Sequence, residues 1–363
     1  MDLNQIITAI MLVFFVVGAI DYVLDNRFGL GKQFEQGVMA SGRLILCMAG
    51  FIVLAPLIAQ KLGPVIAPGF RALGIDPSMI AGMLLANDCG GAALAMELAD
   101  SEQAGRFSGL IVGSMLGTVI MLSIPTLMSY ATEEERPSVI YGILCGVITI
   151  PLGCVAGGLA AGFSPLMVLQ NTMPVFVLSL VLLVLLLVLG RKIVPAFVVF
   201  GRMLMAVSIL GLICGAVECM AGRPVLEGMG TLNSVFPIVG GISIYLAGAF
   251  TLLAVVSRLF TRWLSVAGRL LKINSTSVSA LLLSLANALP PIMMIHEMDD
   301  RGRMFNVAFL SSAACILGDH LAFTAQVASD MCVPVMVGKA VGGLAAFLVA
   351  LWLAPRLLKE KSL

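Results

Sequence analysis

A succession of apolar segments, each long enough to cross a lipid bilayer, constrains this chain more than any other feature of its sequence. A helix needs about 20 apolar residues to cross a hydrocarbon core of roughly 30 Å. Eleven segments have about this length, and the loops between them are too short to hold a soluble domain. They lie at 4–24, 40–60, 77–99, 104–130, 137–162, 167–189, 194–220, 235–260, 276–297, 303–328 and 333–354. The sequence therefore predicts an all-α polytopic membrane protein.

The composition argues against the main soluble classes. Of 363 residues, 60% are hydrophobic and 11% are charged, whereas soluble domains average about 45–50% apolar and about 25% charged residues. The formal net charge of +1 supplies no basic field for a nucleic acid. The eight cysteines are scattered through apolar runs without metal-ligand spacing, so we expect neither a metal nor a cofactor.

The chain repeats itself along its length. Asn87 is followed ten residues later by Glu97, and Asn287 is followed ten residues later by Glu297. Self-similarity of this kind indicates internal structural repeats. We therefore predict a first transmembrane repeat at 1–162, a connecting transmembrane helix within 163–193 and a second transmembrane repeat at 194–363.

Helix-breaking residues stand at the centres of two apolar segments. The segment 77–99 contains Asn87-Asp88-Cys89-Gly90-Gly91, and the segment 276–297 contains Asn287-Ala288-Leu289-Pro290-Pro291. Gly pairs and Pro pairs end helices, and arms of about ten residues reach roughly half of the bilayer. We predict that these segments are re-entrant helical hairpins, called here the first hairpin (77–99) and the second hairpin (276–297). Kinked full spans, which give 11 spanning helices, are the alternative.

The distribution of basic residues favours the hairpins. With eleven crossings, the loop Lys and Arg residues split nine against ten between the two faces. With about nine transmembrane helices and two re-entrant hairpins, they split fifteen against four, which is the asymmetry that the positive-inside rule expects. Five crossings then separate the halves, so this topology also makes the structural repeats inverted.

Polar side chains at predicted mid-depth form the candidate substrate site. A charge at the bilayer centre costs about 2.5–3.5 kcal/mol on insertion scales, so a charged residue at this depth is expected to have a functional or structural role. Asn87 and Asp88 lie at the tip of the first hairpin, Asn287 lies at the matching tip, and Asp319 and His320 lie within the tenth apolar segment. Broken helices that meet near the midplane form substrate sites in secondary transporters. Capping of the half-helices by the Asn and Asp side chains is the structural alternative.

Three further charged residues are candidates for gating or coupling. Glu97 and Glu297 close the two hairpins near the interface, where solvated loop charge is the alternative interpretation. Lys339 lies in the last apolar segment, where a structural ion pair with Asp319 is the alternative.

Four motifs resemble a known family over the chain from its N-terminus to about residue 354. Leu84–Gly91, Leu285–Pro290, Met298–Gly302 and Leu317–Leu321 are similar to the ethanolamine utilisation transporter family, the ethanolamine permeases (EutH). The resemblance implies uptake of ethanolamine across the bacterial inner membrane, by facilitated diffusion or secondary transport. It does not fix which residues bind the substrate, so we carry over only the motif positions.

The candidate side chains suit a small organic cation. Ethanolamine is protonated near neutral pH, much like a lysine side chain, and a desolvated ammonium needs a carboxylate and further acceptors. An ion-coupled symporter of another small polar metabolite is the alternative, and an intramembrane enzyme is a weaker one because only Asp319 and His320 approach a catalytic pair. We expect the lipid bilayer and the substrate as partners, and a homo-oligomer is compatible with the sequence.

Overall fold

The computed structural model describes residues 3–259, 266 and 268–358, which form helices joined by short connections and, within those ranges, no β-strand. In chain order the helices are α1 (Leu3–Val23), α2 (Gly31–Ala72), α3 (Met79–Leu84), α4 (Ala92–Leu98), α5 (Glu102–Tyr130), α6 (Arg136–Ala160), α7 (Pro165–Leu189), α8 (Val194–Ala221), α9 (Leu232–Leu259), α10 (Ser275–Leu283), α11 (Leu289–Met293), α12 (Asp300–Ala313), α13 (Asp319–Val327) and α14 (Cys332–Leu357). Among these described residues, eight helices are long and apolar enough to cross a membrane: α1, α2, α5 to α9 and α14. The prediction of an all-α polytopic membrane protein is confirmed.

Local sequence signals begin and end several of the long helices. Pro137, Pro165 and Pro195 lie in the first turns of α6, α7 and α8. Proline is tolerated there because the N–H groups of the first turn have no hydrogen-bond acceptor within the helix. Gly222 ends α8 with a left-handed φ of 66°, a conformation that glycine adopts without a Cβ penalty. Between these ends, the helix satisfies its own backbone groups, as lipid requires.

The second helix is longer than the predicted segment 40–60. It begins at Gly31 and runs for 42 residues to Ala72. Its polar first part packs against α9, where a Cβ on Gly37 would lie 2.3 Å from the backbone of Ala247. Glycine therefore allows the close approach of two backbones, which places α2 beside the helices of the second half.

Both predicted hairpins are broken at their centres. In the first hairpin, Leu85 and Ala86 are extended and Gly90 has a φ of 93°, so the arms α3 and α4 have only 6 and 7 residues. In the second hairpin, α10 ends at Leu283 and α11 begins at Leu289. At about 1.5 Å per residue, neither arm of the first hairpin can cross the bilayer.

Hydrogen bonds hold the two ends of each hairpin side by side. The Asp100 N–H donates to Oδ2 of Asp76 at 3.1 Å, across the ends of the first hairpin. The Asn274 side chain donates to the Glu297 carbonyl at 2.8 Å, across the ends of the second hairpin. Among the described residues, five long helices, α5 to α9, lie between the hairpins, so we expect the open ends of the two hairpins on opposite faces. The inverted repeat of the whole halves and its boundaries at 162 and 194 stay predictions.

The predicted span 303–328 is wrong as one continuous helix. The helix α12 ends at Ala313, and Cys315 has a φ of 59°. The freed backbone pairs with the break in the second hairpin, since the Cys315 N–H donates to Ser284 O and the Leu317 N–H to Leu285 O, each at 2.8 Å. This break moves Asp319 from the middle of a helix to the first turn of α13.

The first hairpin lies against α5 through a stripe of glycines. A Cβ on Gly117 would lie 2.0 Å from Leu85 O, and one on Gly109 would lie 2.7 Å from Ala92 Cα. The same stretch of α5, Phe107–Gly117, is a π-helix, and such departures from α-helical geometry are frequent at functional sites. The broken tip and α5 therefore meet without intervening side chains.

Candidate functional site

The tips of the two hairpins meet at the first turn of α13. The Asn87 side-chain amide donates to the His320 carbonyl at 3.4 Å, and that of Asn287 donates to Oδ2 of Asp319 at 2.8 Å. Oδ1 of Asp88 lies 4.0 Å from Nε2 of His320. The structure thus brings together the five residues predicted from the sequence, which we call the central cluster.

Asn287 also caps a half-helix, which is the structural role that the sequence analysis gave as the alternative. Its Oδ1 accepts the Leu289 N–H at 2.9 Å at the start of α11, while its amide nitrogen donates to Asp319. One side chain therefore fixes the tip of the second hairpin and orients a carboxylate of the central cluster. The capping and ligand interpretations are compatible at this residue.

Thr118 of α5 fixes the ring orientation of His320. The Thr118 hydroxyl donates to Gly113 O at 3.0 Å, so its oxygen is free to accept from Nε2 of His320 at 3.4 Å. With the ring hydrogen on Nε2, His320 donates to this oxygen, and the same nitrogen faces Asp88. A neutral imidazole then presents Nδ1 as an acceptor.

Two acceptors of the central cluster have no partner among the described residues. Nδ1 of His320 and Oδ1 of Asn87 are buried and accept no hydrogen bond from the described residues. Asn87 is fully buried, and Asp88 is 8% exposed. Because buried polar atoms are almost always paired, these two acceptors are available to donors of a bound molecule, and the carboxylates of Asp88 and Asp319 lie in the same cluster. The arrangement suits a small ligand rich in N–H and O–H groups.

Lys339 is buried beside the central cluster, with 1% exposure. Its ammonium donates to Ser114 O and Ala314 O, each at 2.7 Å. In the described part of the chain, it forms no ion pair with Asp319, so the alternative of a direct pair is not what the structure contains. A role of Lys339 in gating or coupling stays a prediction.

The two remaining candidates lie away from the central cluster. Glu97 and Glu297 are exposed at the outer ends of α4 and of the second hairpin. Exposure at a hairpin end matches the interpretation as solvated loop charge. A gating role for either residue stays a prediction.

Residues that the sequence analysis did not single out also surround the cluster. Thr118 follows the glycine stripe of α5 directly, and that adjacency is the only signal in the sequence that pointed to it. The charge of Arg43, from an exposed position on α2, acts on both Asp88 and Asp319. The predicted segment 40–60 already contained Arg43, but nothing in the sequence indicated that it lies near the central cluster.

Pairs of charged or polar side chains lie at the open ends of both hairpins. Nε of Arg71 donates to Asp100 at 2.8 Å, and this hydrogen bond lowers the pKa of the Asp100 carboxyl. At the second hairpin, Glu135 lies 2.9 Å from Nδ1 of His296. Burial raises the pKa of Glu135, but hydrogen bonds from Thr132 and His296 and the charge of Arg303 outweigh it, so the net shift is downward.

Comparisons with known proteins identify the family. The chain matches the family described as "Ethanolamine utilisation protein, EutH" over residues 3–353. A protein of Listeria monocytogenes serotype 1/2a (strain 10403S), named probable ethanolamine permease EutH, is 43% identical over 360 residues, which cover 99% of this chain and 96% of the relative. A Salmonella typhimurium protein of the same name is 36% identical over 394 aligned residues, covering 98% and 97%.

A further relative carries no functional name. The protein YxeR of Bacillus subtilis (strain 168), described as uncharacterized, is 38% identical over 355 residues, which cover 98% of this chain and 96% of the relative. No solved structure matches the chain. The chain therefore belongs to the EutH family, and it is a multi-pass transporter of the bacterial inner membrane rather than an enzyme.

Proposed function

We propose that the protein transports ethanolamine and binds its protonated form at the central cluster. One observation carries the proposal: two carboxylates, Asp88 and Asp319, lie around the meeting point of two broken hairpins, together with two buried acceptors that no described residue satisfies. The names of the relatives support ethanolamine as the substrate, since two of them are called probable ethanolamine permeases.

The donors of ethanolamine match these acceptors in kind and number. A protonated primary amine carries three N–H donors, and the hydroxyl adds one O–H donor. The ammonium contacts Asp88, Asp319 and Oδ1 of Asn87, and the hydroxyl donates to Nδ1 of His320. A charge-assisted hydrogen bond to each carboxylate contributes about 1.5–3 kcal/mol, so the ammonium supplies most of the binding free energy.

The placement of the hairpins supports alternating access to the cluster. The ends of the first hairpin are joined on one face by Asp76 and Asp100, and those of the second are joined on the other face by Asn274 and Glu297. Substrate sites of secondary transporters lie near the midplane between such interrupted helices. Movement of either hairpin exposes the same acceptors to one face.

Uptake of radiolabelled ethanolamine into proteoliposomes tests the proposal, with ethylamine, ethylene glycol and choline as competitors. Ethylamine lacks the hydroxyl and ethylene glycol lacks the charge, so we expect each to compete at least about tenfold more weakly than unlabelled ethanolamine, because one hydrogen bond of roughly 1.4 kcal/mol is a factor of ten. Choline cannot donate N–H groups and competes weakly. Uptake that does not saturate, or choline competing as well as ethanolamine, refutes the proposal.

A further inference from the structure

A buried lysine joins two interrupted helices at the centre of the protein. The Lys339 ammonium donates to the carbonyls of Ser114 and Ala314, each at 2.7 Å. Ser114 lies in the π-helix of α5, and Ala314 lies at the break between α12 and α13. The two carbonyls are 200 positions apart in the sequence, the same spacing that separates Asn87 from Asn287. One cation therefore bridges matching points of the two halves.

The position of this lysine is fixed by its neighbours. Gly338, the preceding residue, packs on α6 so closely that a Cβ would lie 2.9 Å from Gly153 O. The reverse contact is equally close, since a Cβ on Gly153 would lie 2.7 Å from Gly338 O. Backbone packing of this kind in membranes depends on small residues. It holds the Lys339 side chain at one depth between α5 and the break after α12.

The chemistry of the two carbonyls is that of a cation site. In transporters with broken helices, unwound carbonyls coordinate the coupling Na⁺ or H⁺. Here an ammonium from the chain itself takes both carbonyls. A metal cation at the same point would compete directly with Lys339 for these oxygens.

The net charge of the buried groups indicates how many cations the site can still bind. Asp88 and Asp319 are two carboxylates and Lys339 is one ammonium, and a neutral imidazole at His320 adds no charge. Among these described groups one negative charge is left over, and Arg43 lies at an exposed position on α2. An uncompensated charge in a desolvated site is costly, and one monovalent cation removes it. A second transported cation would leave the site with an excess positive charge.

We propose that Lys339 is a built-in cation that occupies the position of a coupling ion, so that the protein carries its cationic substrate without a cotransported metal cation. The inference rests on the proposed function for the identity of that substrate. Lys339 is then a positioning residue, because its ammonium bridges the interrupted helices. Its positive charge balances one of the two carboxylates, and the charge of the substrate balances the other.

Initial rates of ethanolamine uptake in Na⁺, K⁺ and Li⁺ media of equal ionic strength, at a clamped membrane potential, test the inference on the wild-type protein. We expect rates that agree within twofold and no accumulation driven by an inward Na⁺ gradient. A tenfold or larger, saturable dependence on one metal cation overturns the inference and leaves the proposed function intact. An absence of saturable ethanolamine uptake in every medium instead overturns the proposed function.

Two variants and a melting measurement complete the test. Lys339→Met keeps an unbranched side chain, one atom shorter and without the charge, and we expect it to lower uptake at least tenfold, whereas Lys61→Met at an exposed position on α2 leaves uptake unchanged. Wild-type transport by Lys339→Met overturns the inference. The melting temperature of the wild-type protein without substrate is a readout that needs neither a variant nor transport. If Lys339 fills the site, this melting temperature does not change when Na⁺ is added at constant ionic strength. A saturable rise of the melting temperature with Na⁺ concentration overturns the inference.

Discussion

The substitution Asp319→Asn removes one charge from the central cluster while keeping its shape. The asparagine carbonyl can still accept the hydrogen bond that the Asn287 amide donates to Oδ2 of Asp319 at 2.8 Å. The tip of the second hairpin therefore stays anchored, and the cap that Asn287 forms on α11 is untouched. What the variant loses is the charge-assisted hydrogen bond to the substrate ammonium.

The magnitude follows from the type of bond that is lost. A hydrogen bond to a charged group contributes about 1.5–3 kcal/mol, and about 1.4 kcal/mol corresponds to a factor of ten in affinity. The Kd for ethanolamine should therefore rise by about 10-fold to 150-fold in Asp319→Asn. Asp88→Asn should have a similar effect, because Asp88 is more deeply buried, at 8% exposure, and faces the same ligand.

Scintillation proximity binding of radiolabelled ethanolamine to the purified protein measures this change without the transport step. Glu97→Gln and Glu297→Gln are matched controls, since each removes one carboxylate charge at an exposed hairpin end. We expect both controls to bind within twofold of the wild-type protein. An Asp319→Asn variant with wild-type affinity refutes the assignment of Asp319 as a ligand.

Three further predictions concern the scaffold. Asp21→Ala lowers the melting temperature without changing the KM, because Asp21 accepts three backbone N–H bonds of 2.6–2.8 Å in the turn after α1; a raised KM with unchanged melting contradicts this. Gly117→Ala costs about 1–3 kcal/mol of stability and impairs uptake because its Cβ would meet Leu85 O at 2.0 Å, whereas Gly42→Ala, with nothing within 4 Å, is tolerated; equal uptake by both variants contradicts the close packing. Glu135→Gln melts at a lower temperature than the wild type at pH 7, and the difference narrows as the pH falls through and below 4.5, the ordinary pKa of this group. Because the pKa of Glu135 is lowered in the native state, its ionised carboxylate stabilises the fold above this pH range, and that stabilisation is lost below it. A melting difference that grows on acidification contradicts the reasoning.

The long helices could be predicted because lipid imposes a simple rule of length and hydropathy. The predicted segments 137–162, 167–189 and 194–220 agree within a few residues with α6, α7 and α8. The start of α2 could not be found this way, since residues 31–44 are largely polar and are stabilised by packing on α9 through Gly37. A tertiary contact of this kind leaves no local signal of hydropathy.

The members of the central cluster could be predicted, but their arrangement could not. Ionisable and amide residues at the centres of apolar segments are costly in lipid, so Asp88 and Asp319 are visible in the sequence. The break before Asp319 depends on pairing between Cys315 and Ser284 and on a positive φ at a cysteine, neither of which the sequence indicates. The partners of Lys339 are backbone carbonyls, which carry no residue signature, and the expectation of a side-chain ion pair missed them.

Labelling of single cysteines in a cysteine-free background, with impermeant reagents applied from each face, tests the two opposed hairpins most directly. Positions 76 and 101 flank the first hairpin, and positions 274 and 297 flank the second. We expect the first two positions to react from one face and the last two from the other, as the hydrogen bonds between Asp76 and Asp100 and between Asn274 and Glu297 require. Labelling of positions 76 and 101 from opposite faces would show a full crossing and would contradict a central cation site built from two hairpin tips.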